Sequence, residues 1–115
     1  IDDMISSGDT VLETAALLKD KKANKIFICS TFGFFTNGME KFDLAHGQGL
    51  FDRLLTTNLI YQTPDLLEKP YYINCDMSKY IALLIDTLNH DVTISSLLNP
   101  VDRINAYLEK YKNQK

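Results

Sequence analysis

The sequence predicts an α/β protein, a parallel sheet flanked by helices. Three observations carry this. Short apolar runs alternate along the chain with stretches whose apolar residues recur at helical spacing. Residues 25–31 are almost continuously apolar, as in a strand covered on both faces. Glycine, asparagine and hydroxyl residues gather where the runs end, at the carboxyl edge where open α/β sheets place their ligands. The 115 residues, 45% apolar and 23% charged, suit one globular domain with a modest core.

The elements follow in order. Ile1 reads as the last residue of a strand, with no initiator Met before it, so the chain is expected to be a fragment of a longer one. Asp2 and Asp3 come next, then the tight polar turn Ser6-Ser7-Gly8-Asp9-Thr10. Residues 10–19 predict a helix, with Ser7 or Asp9 available as its cap. The Lys-rich residues 19–25 suit a helix end and a solvated loop. After the strand at 25–31, Gly33, Asn37 and Gly38 mark a loop, in which Phe34 and Phe35 either flank a ligand or, more simply, are core or subunit-contact residues. A short helix over 39–46 ends at Gly47, which places His46 at a helix terminus as a surface or dipole-compensating residue.

Residues 51–58 predict a strand whose polar tip is Thr56, Thr57 and Asn58. Residues 64–70 read as loop, and 70–75 as another strand. Asp76 is expected to cap a strongly amphipathic helix, with positions 77, 80, 81, 84, 85 and 88 as a core stripe. Residues 92–98 suit a short turn or helix start. Residues 100–111 predict a last amphipathic helix, with Val101, Ile104, Tyr107, Leu108 and Tyr111 on one face.

Composition excludes several classes. A net charge of −3 and a pI near 5.2 do not favour a nucleic-acid surface, which shows as a basic stripe. Cys29 and Cys75 lack metal-ligand spacing and sit in strand-like runs, so they are expected as buried free thiols of a reduced, cytoplasmic protein. No run reaches the length of a membrane span, and no signal peptide is visible.

The chemistry concentrates in residues 1–10. The hydroxyls of Ser6, Ser7 and Thr10, a glycine permitting close backbone approach, and N–H groups opening a helix are what a phosphate needs. Two carboxylates just upstream suit diol hydroxyls or hydrated Mg²⁺.

The stretch IDDMISSGDT resembles the PRPP-binding loop of the type I phosphoribosyltransferase fold. It is more similar still to the ribose-phosphate pyrophosphokinase (PRPP synthase) family, whose usual motif is VDDMIDTGGT. Asp2, Asp3, Met4, Ile5, Gly8 and Thr10 match. Residues 29–38 sit where the family has a segment like ATHGVFSG, and Thr56-Thr57-Asn58 where it has a strand ending in Thr-Asp or Thr-Asn. Residues 93–98 resemble its closing SVSSLF.

This resemblance implies an enzyme that transfers diphosphate from ATP to the 1-hydroxyl of ribose 5-phosphate, with Mg²⁺, to make PRPP for nucleotide biosynthesis. Residues 1–98 would be the C-terminal, ribose 5-phosphate-binding domain of a two-domain subunit, truncated at its N-terminal strand, and residues 99–115 a helical extension. Asp2 and Asp3 would hold the ribose hydroxyls directly or through Mg²⁺, while Ser6, Ser7, Gly8, Asp9 and Thr10 would cradle the 5-phosphate. ATP would bind through a missing N-terminal half that also holds the catalytic Lys and Arg, so the fragment alone would contain no catalytic residue and be inactive. A homo-oligomer is implied, with Thr93, Ser95 and Ser96 at the positions of an allosteric phosphate site. Neither nucleic acid nor membrane is an expected partner. A synthase-like regulatory subunit and a PRPP-consuming phosphoribosyltransferase are the alternatives.

The chain departs from the pattern at three places: Ser6 replaces an Asp, Asp9 a Gly, and Phe32 a His. Asp9 brings negative charge to a phosphate cradle at a cost of about 1 kcal/mol, unless it points outward as a helix N-terminal acid.

Overall fold

A computed structural model describes residues 1–114 of the chain. Four strands, β1 (Asp2–Ile5), β2 (Phe27–Gly33), β3 (Arg53–Thr57) and β4 (Tyr72–Cys75), alternate with helices α1 (Asp9–Asp20), α2 (Glu40–Gly47) and α3 (Pro64–Glu68). Helices α4 (Ser78–Asn89), α5 (Ser95–Leu98) and α6 (Val101–Lys112) follow. The sheet runs β1-β2-β3-β4 and every pairing is parallel. The chain divides into two compact units, Ile1–Met77 and a second beginning at Ser78.

In a parallel 1-2-3-4 sheet, successive crossovers of the usual right hand bring α1, α2 and α3 to the same face. Ala15, Phe42, Ala45 and Leu66 from these helices join Ile28 and Leu54 of the sheet in one buried cluster. On β2, Ile28 and Ser30 are buried, whereas Phe27 is 55% exposed. Within the first unit the strand therefore alternates rather than being evenly buried, its buried residues facing the side where α1, α2 and α3 pack. The register aligns Cys29, Leu55 and Ile73 across the sheet. Both cysteines are free thiols and only half-buried.

Beneath α2 the core is aromatic. Phe42 is fully buried, edge-on to Phe35 and to Phe51, at centroid separations of 5.2 and 6.3 Å. His46, expected at the surface, is half-buried, its ring 4.7 Å from that of Tyr71. Residues 64–68 form a short helix rather than a loop. Thr63 caps it, its Oγ1 accepting from the Leu66 N–H at 3.3 Å, and Pro64 opens it. The cap and N1 proline suffice where five residues are too few to show a period.

α3 also anchors an ionic network. Lys69 bridges Asp43 at 2.8 Å and Asp65 at 3.0 Å, and the buried Tyr71 donates its hydroxyl to Asp43 at 2.7 Å. Burial, then the adjacent Asp43 carboxylate, pushes the Tyr71 phenol far above its ordinary range. A group whose folded pKa is raised contributes stability below its unfolded pKa, about 10 for tyrosine, and loses it as pH rises beyond. Urea midpoints should therefore fall faster above about pH 10 in the wild type than in Tyr71→Phe, which gives up about 1 kcal/mol at neutral pH. Identical alkaline limbs for the two proteins would rule out this linkage. Asp43 behaves oppositely. Burial raises it, but the Lys69 and Tyr71 hydrogen bonds outweigh burial and leave it below its ordinary value. Its contribution is therefore lost as pH falls through that lowered pKa.

The second unit is held by the Tyr80 hydroxyl donating to the Leu97 carbonyl at 3.1 Å and by the Arg103 guanidinium 5.5 Å over the Tyr80 ring. The stripe on α4 expected as core is not buried. No residue of that helix is, and Ile85 and Leu88 are 63% and 61% exposed. α6 has the expected apolar face, equally uncovered. Helical periodicity requires only that a face be apolar; burial requires a packing partner as well.

Candidate functional site

β1 delivers the acids to the carboxyl end of the sheet, and Ile5, buried at its end, fixes where the strand stops. The turn that follows is stapled by its neighbour: Phe34 N–H donates to the Ile5 carbonyl at 2.8 Å and Thr36 N–H to the Ser6 carbonyl at 3.0 Å. Gly8 lies at φ +87°, with its missing Cβ position 2.4 Å from Phe42 Cε2 and Cζ. Only glycine fits there, because both the left-handed backbone and the ring beneath exclude a side chain. Its carbonyl accepts the first helical bond, from the Leu12 N–H at 3.0 Å. The N–H groups of Thr10 and Val11 precede that bond and belong to the helix-opening set that intrahelical acceptors do not reach.

These residues enclose a concavity of about 210 Å³ lined by Asp2 and residues 4–11. Every predicted phosphate-loop residue, Ser6, Ser7, Gly8, Asp9 and Thr10, thus borders one space, with Asp2 beside them. Asp3 is not on that lining. Both acids are exposed, and each uses one oxygen locally: Asp2 Oδ1 accepts from the Asp3 N–H at 2.8 Å, and Asp3 Oδ1 from the Met4 N–H at 2.9 Å. A second carboxylate oxygen on each remains to meet a ligand.

Gly8, not Asp9 or Ser7, occupies the N-cap position of α1, without a side-chain bond, while the Ser7 hydroxyl accepts from the Asp9 N–H at 3.4 Å. The Asp9 carboxylate instead accepts from the Ser7 hydroxyl at 2.9 Å and forms an ion pair with Lys41, at the start of α2. The Lys41 hydrogen bond first, and that of Ser7 second, hold Asp9 below the ordinary carboxylate range. Sequence reasoning missed Lys41. Its only sequence signal is topological: successive βα units bring the starts of α1 and α2 side by side at one sheet edge.

Other expected edge residues are engaged structurally. The Thr56 hydroxyl is buried and 2.7 Å from Tyr72 Oη. Thr57 donates to the Thr31 carbonyl at 2.6 Å. Asn58 accepts from the Met77 N–H and donates to Asp76, both at 2.8 Å. Thr93 and Ser95 lie in the second unit, hydroxyls 2.9 Å apart; the Ser96 side chain lies outside the described residues. Among the described residues, no group of three or more His, Cys, Asp or Glu side chains is placed to hold a metal. No described helix is long and apolar enough to cross a membrane.

A parallel α/β sheet with an acid-then-hydroxyl turn at its carboxyl edge is the class this geometry defines. The family model for the phosphoribosyl synthetase-associated domain matches residues 1–99, and the chain belongs to that family. Ribose-phosphate pyrophosphokinase 1 of Spinacia oleracea is 31% identical over 101 residues, covering 84% of this chain and 28% of that protein. The Mycoplasma pneumoniae ribose-phosphate pyrophosphokinase is 39% identical over 64 residues, covering 55% of this chain and 20% of that protein. The chain thus spans less than a third of these relatives' length. In structure, a phosphoribosylpyrophosphate synthetase from Mycobacterium smegmatis matches with a TM-score of 0.66 and 21% identity, covering 78% of this chain and 29% of that one, a likeness of fold.

Proposed function

We propose that residues 1–10 hold ribose 5-phosphate in a protein that makes PRPP from it and ATP, and that this chain forms the sugar-phosphate half of that active site. The observation that carries this reading is the single concavity joining Asp2 to the hydroxyl and N–H groups of residues 6–11. The phosphate would sit at the opening of α1, where the helix dipole and free N–H groups favour an anion. Asp2, and Asp3 from the other face of the strand, would meet the ribose hydroxyls. Their oxygens also fit Mg²⁺ of the kind held mainly by water and substrate oxygens, with one or two protein carboxylates. Such an ion would neutralise phosphate charge. ATP and the groups that act on it would come from outside this chain, so that the chain by itself binds without catalysing. A homo-oligomer in the cytoplasm belongs to the same reading, as does a regulatory role for Thr93, Ser95 and Ser96.

Titration calorimetry with ribose 5-phosphate and Mg²⁺ tests the reading. Asp2→Asn should weaken binding by roughly tenfold or more, the worth of a hydrogen bond to a charged group, and Asp3→Asn by less. No binding by a folded wild-type chain would refute it. A non-catalytic, synthase-like subunit is the second reading, favoured by the engagement of Ser7 with Asp9 inside the cradle. It predicts that ribose 5-phosphate binds without any ATP-dependent PRPP formation by the protein in its complete form.

A further inference from the structure

We propose that Asp9 is a built-in anion that occupies the partners a bound phosphate needs, and that Lys41 is the cation released to that phosphate when Asp9 is displaced. This rests on the sugar-phosphate reading of the same loop and deepens it. Three facts of geometry carry it. Asp9 stands on the lining of the concavity, at the first position of α1, where an incoming phosphate would lie. Its two carboxylate oxygens are both engaged: Oδ2 accepts from the Ser7 hydroxyl at 2.9 Å, and Oδ1 pairs with the Lys41 ammonium. Ser7 belongs to the same lining, so the carboxylate holds one hydroxyl and one positive charge at the mouth of an anion site.

The arrangement is open to exchange. The Lys41 and Asp9 side chains are 50% and 51% exposed, so neither is locked by packing, and an exposed pair of this kind is weak and readily exchanged. The ammonium is a compact charge on a flexible four-carbon stem, able to move from carboxylate to phosphate without disturbing α2. Asp9 has opposite effects in the two states. In the free chain it satisfies Ser7 and Lys41; in the bound chain it is a like charge beside a phosphate dianion. Net affinity is therefore lowered by Asp9 and raised by Lys41, and the second effect needs the first to be removed before it is fully expressed.

The experiment is calorimetry with ribose 5-phosphate, and with inorganic phosphate as the minimal anion, on four forms of the chain. These are the wild type, Asp9→Asn, Lys41→Met and the double variant, each first shown to keep a cooperative thermal transition. Asp9→Asn should bind roughly tenfold tighter than the wild type. Adding Lys41→Met to it should cancel most of that gain, whereas Lys41→Met alone should change affinity less. If the wild type binds and Asp9→Asn binds equally or more weakly, Asp9 is a phosphate-loop ligand or a bystander and the inference is overturned with the site intact. If Asp9→Asn gains affinity and the double variant keeps it, Lys41 has no part and that half is overturned. If no folded form binds either anion, the sugar-phosphate reading itself fails and the inference falls with it.

Discussion

Gly8→Ala is expected to destabilise the chain by about 2–5 kcal/mol. Two independent costs add. A left-handed backbone costs a residue with a Cβ about 1–2 kcal/mol, and Gly8 lies at φ +87°. Overpacking against a close-packed core costs about 1–3 kcal/mol more, and the new methyl would fall 2.4 Å from two atoms of the Phe42 ring. At about 4–8 °C per kcal/mol for a domain of this size, the thermal midpoint should drop by at least about 8 °C. The loop should also lose its shape, so ribose 5-phosphate binding should fall even where the protein stays folded. A thermal scan checks the first part. Combining Gly8→Ala with Phe42→Leu should recover some of the loss, because the smaller side chain relieves the collision but not the backbone strain, and the double-mutant cycle would be non-additive. A midpoint within a degree or two of the wild type would show that the turn is not seated on Phe42.

Phe42→Ala is expected to cost about 3–5 kcal/mol, the range for deleting a buried aromatic side chain and leaving its cavity. Phe42 is fully buried and edge-on to both Phe35 and Phe51, so its loss also removes two aromatic pairs. Marginal stability runs at about 0.05–0.15 kcal/mol per residue, so this one change removes a large share of what holds the sheet unit together. Urea unfolding should show a midpoint shifted far down at an unchanged slope, or no folded baseline at 25 °C. Phe42→Leu, which keeps most of the volume, should lose much less. A small shift for Phe42→Ala would mean that the core collapses around the gap, and that Gly8 is glycine for its backbone alone.

The two variants meet at one place because the core and the site share a wall. The Phe42 ring packs in the aromatic cluster and also against the Gly8 turn. A mutation there should therefore reduce stability and sugar-phosphate affinity together, whereas Asp2→Asn should reduce affinity alone. That contrast separates damage to the scaffold from damage to the binding groups.

Much of this was legible in the residues. The parallel α/β class followed from apolar runs alternating with helical periods, and four parallel strands with flanking helices are present. The segment of residues 1–10 stood out by its own chemistry, and residues 2 and 4–11 do border one concavity. These features are local: a strand, a turn and a helix start are specified by neighbours a few positions away. The short α3 was also written locally, in Thr63 and Pro64, but it is too brief for a period to reveal.

Tertiary structure decided what depends on distant pairs. That Asp9 is matched by Lys41, 32 residues away, follows only from successive βα units setting the starts of α1 and α2 side by side. That Tyr71 shares Asp43 with Lys69 needs α2 and α3 to lie side by side. That Gly8 must be glycine for space as well as backbone needs Phe42 beneath it. The apolar stripe of α4 shows the limit from the other side: amphipathicity is a property of the sequence, but burial belongs to a pair of surfaces, and no residue of α4 is buried. Sequence by itself determined the elements and the chemistry of the first ten residues; the path of the sheet determined which charges, rings and carbonyls those residues meet, because contact across a fold is set by topology and not by order along the chain.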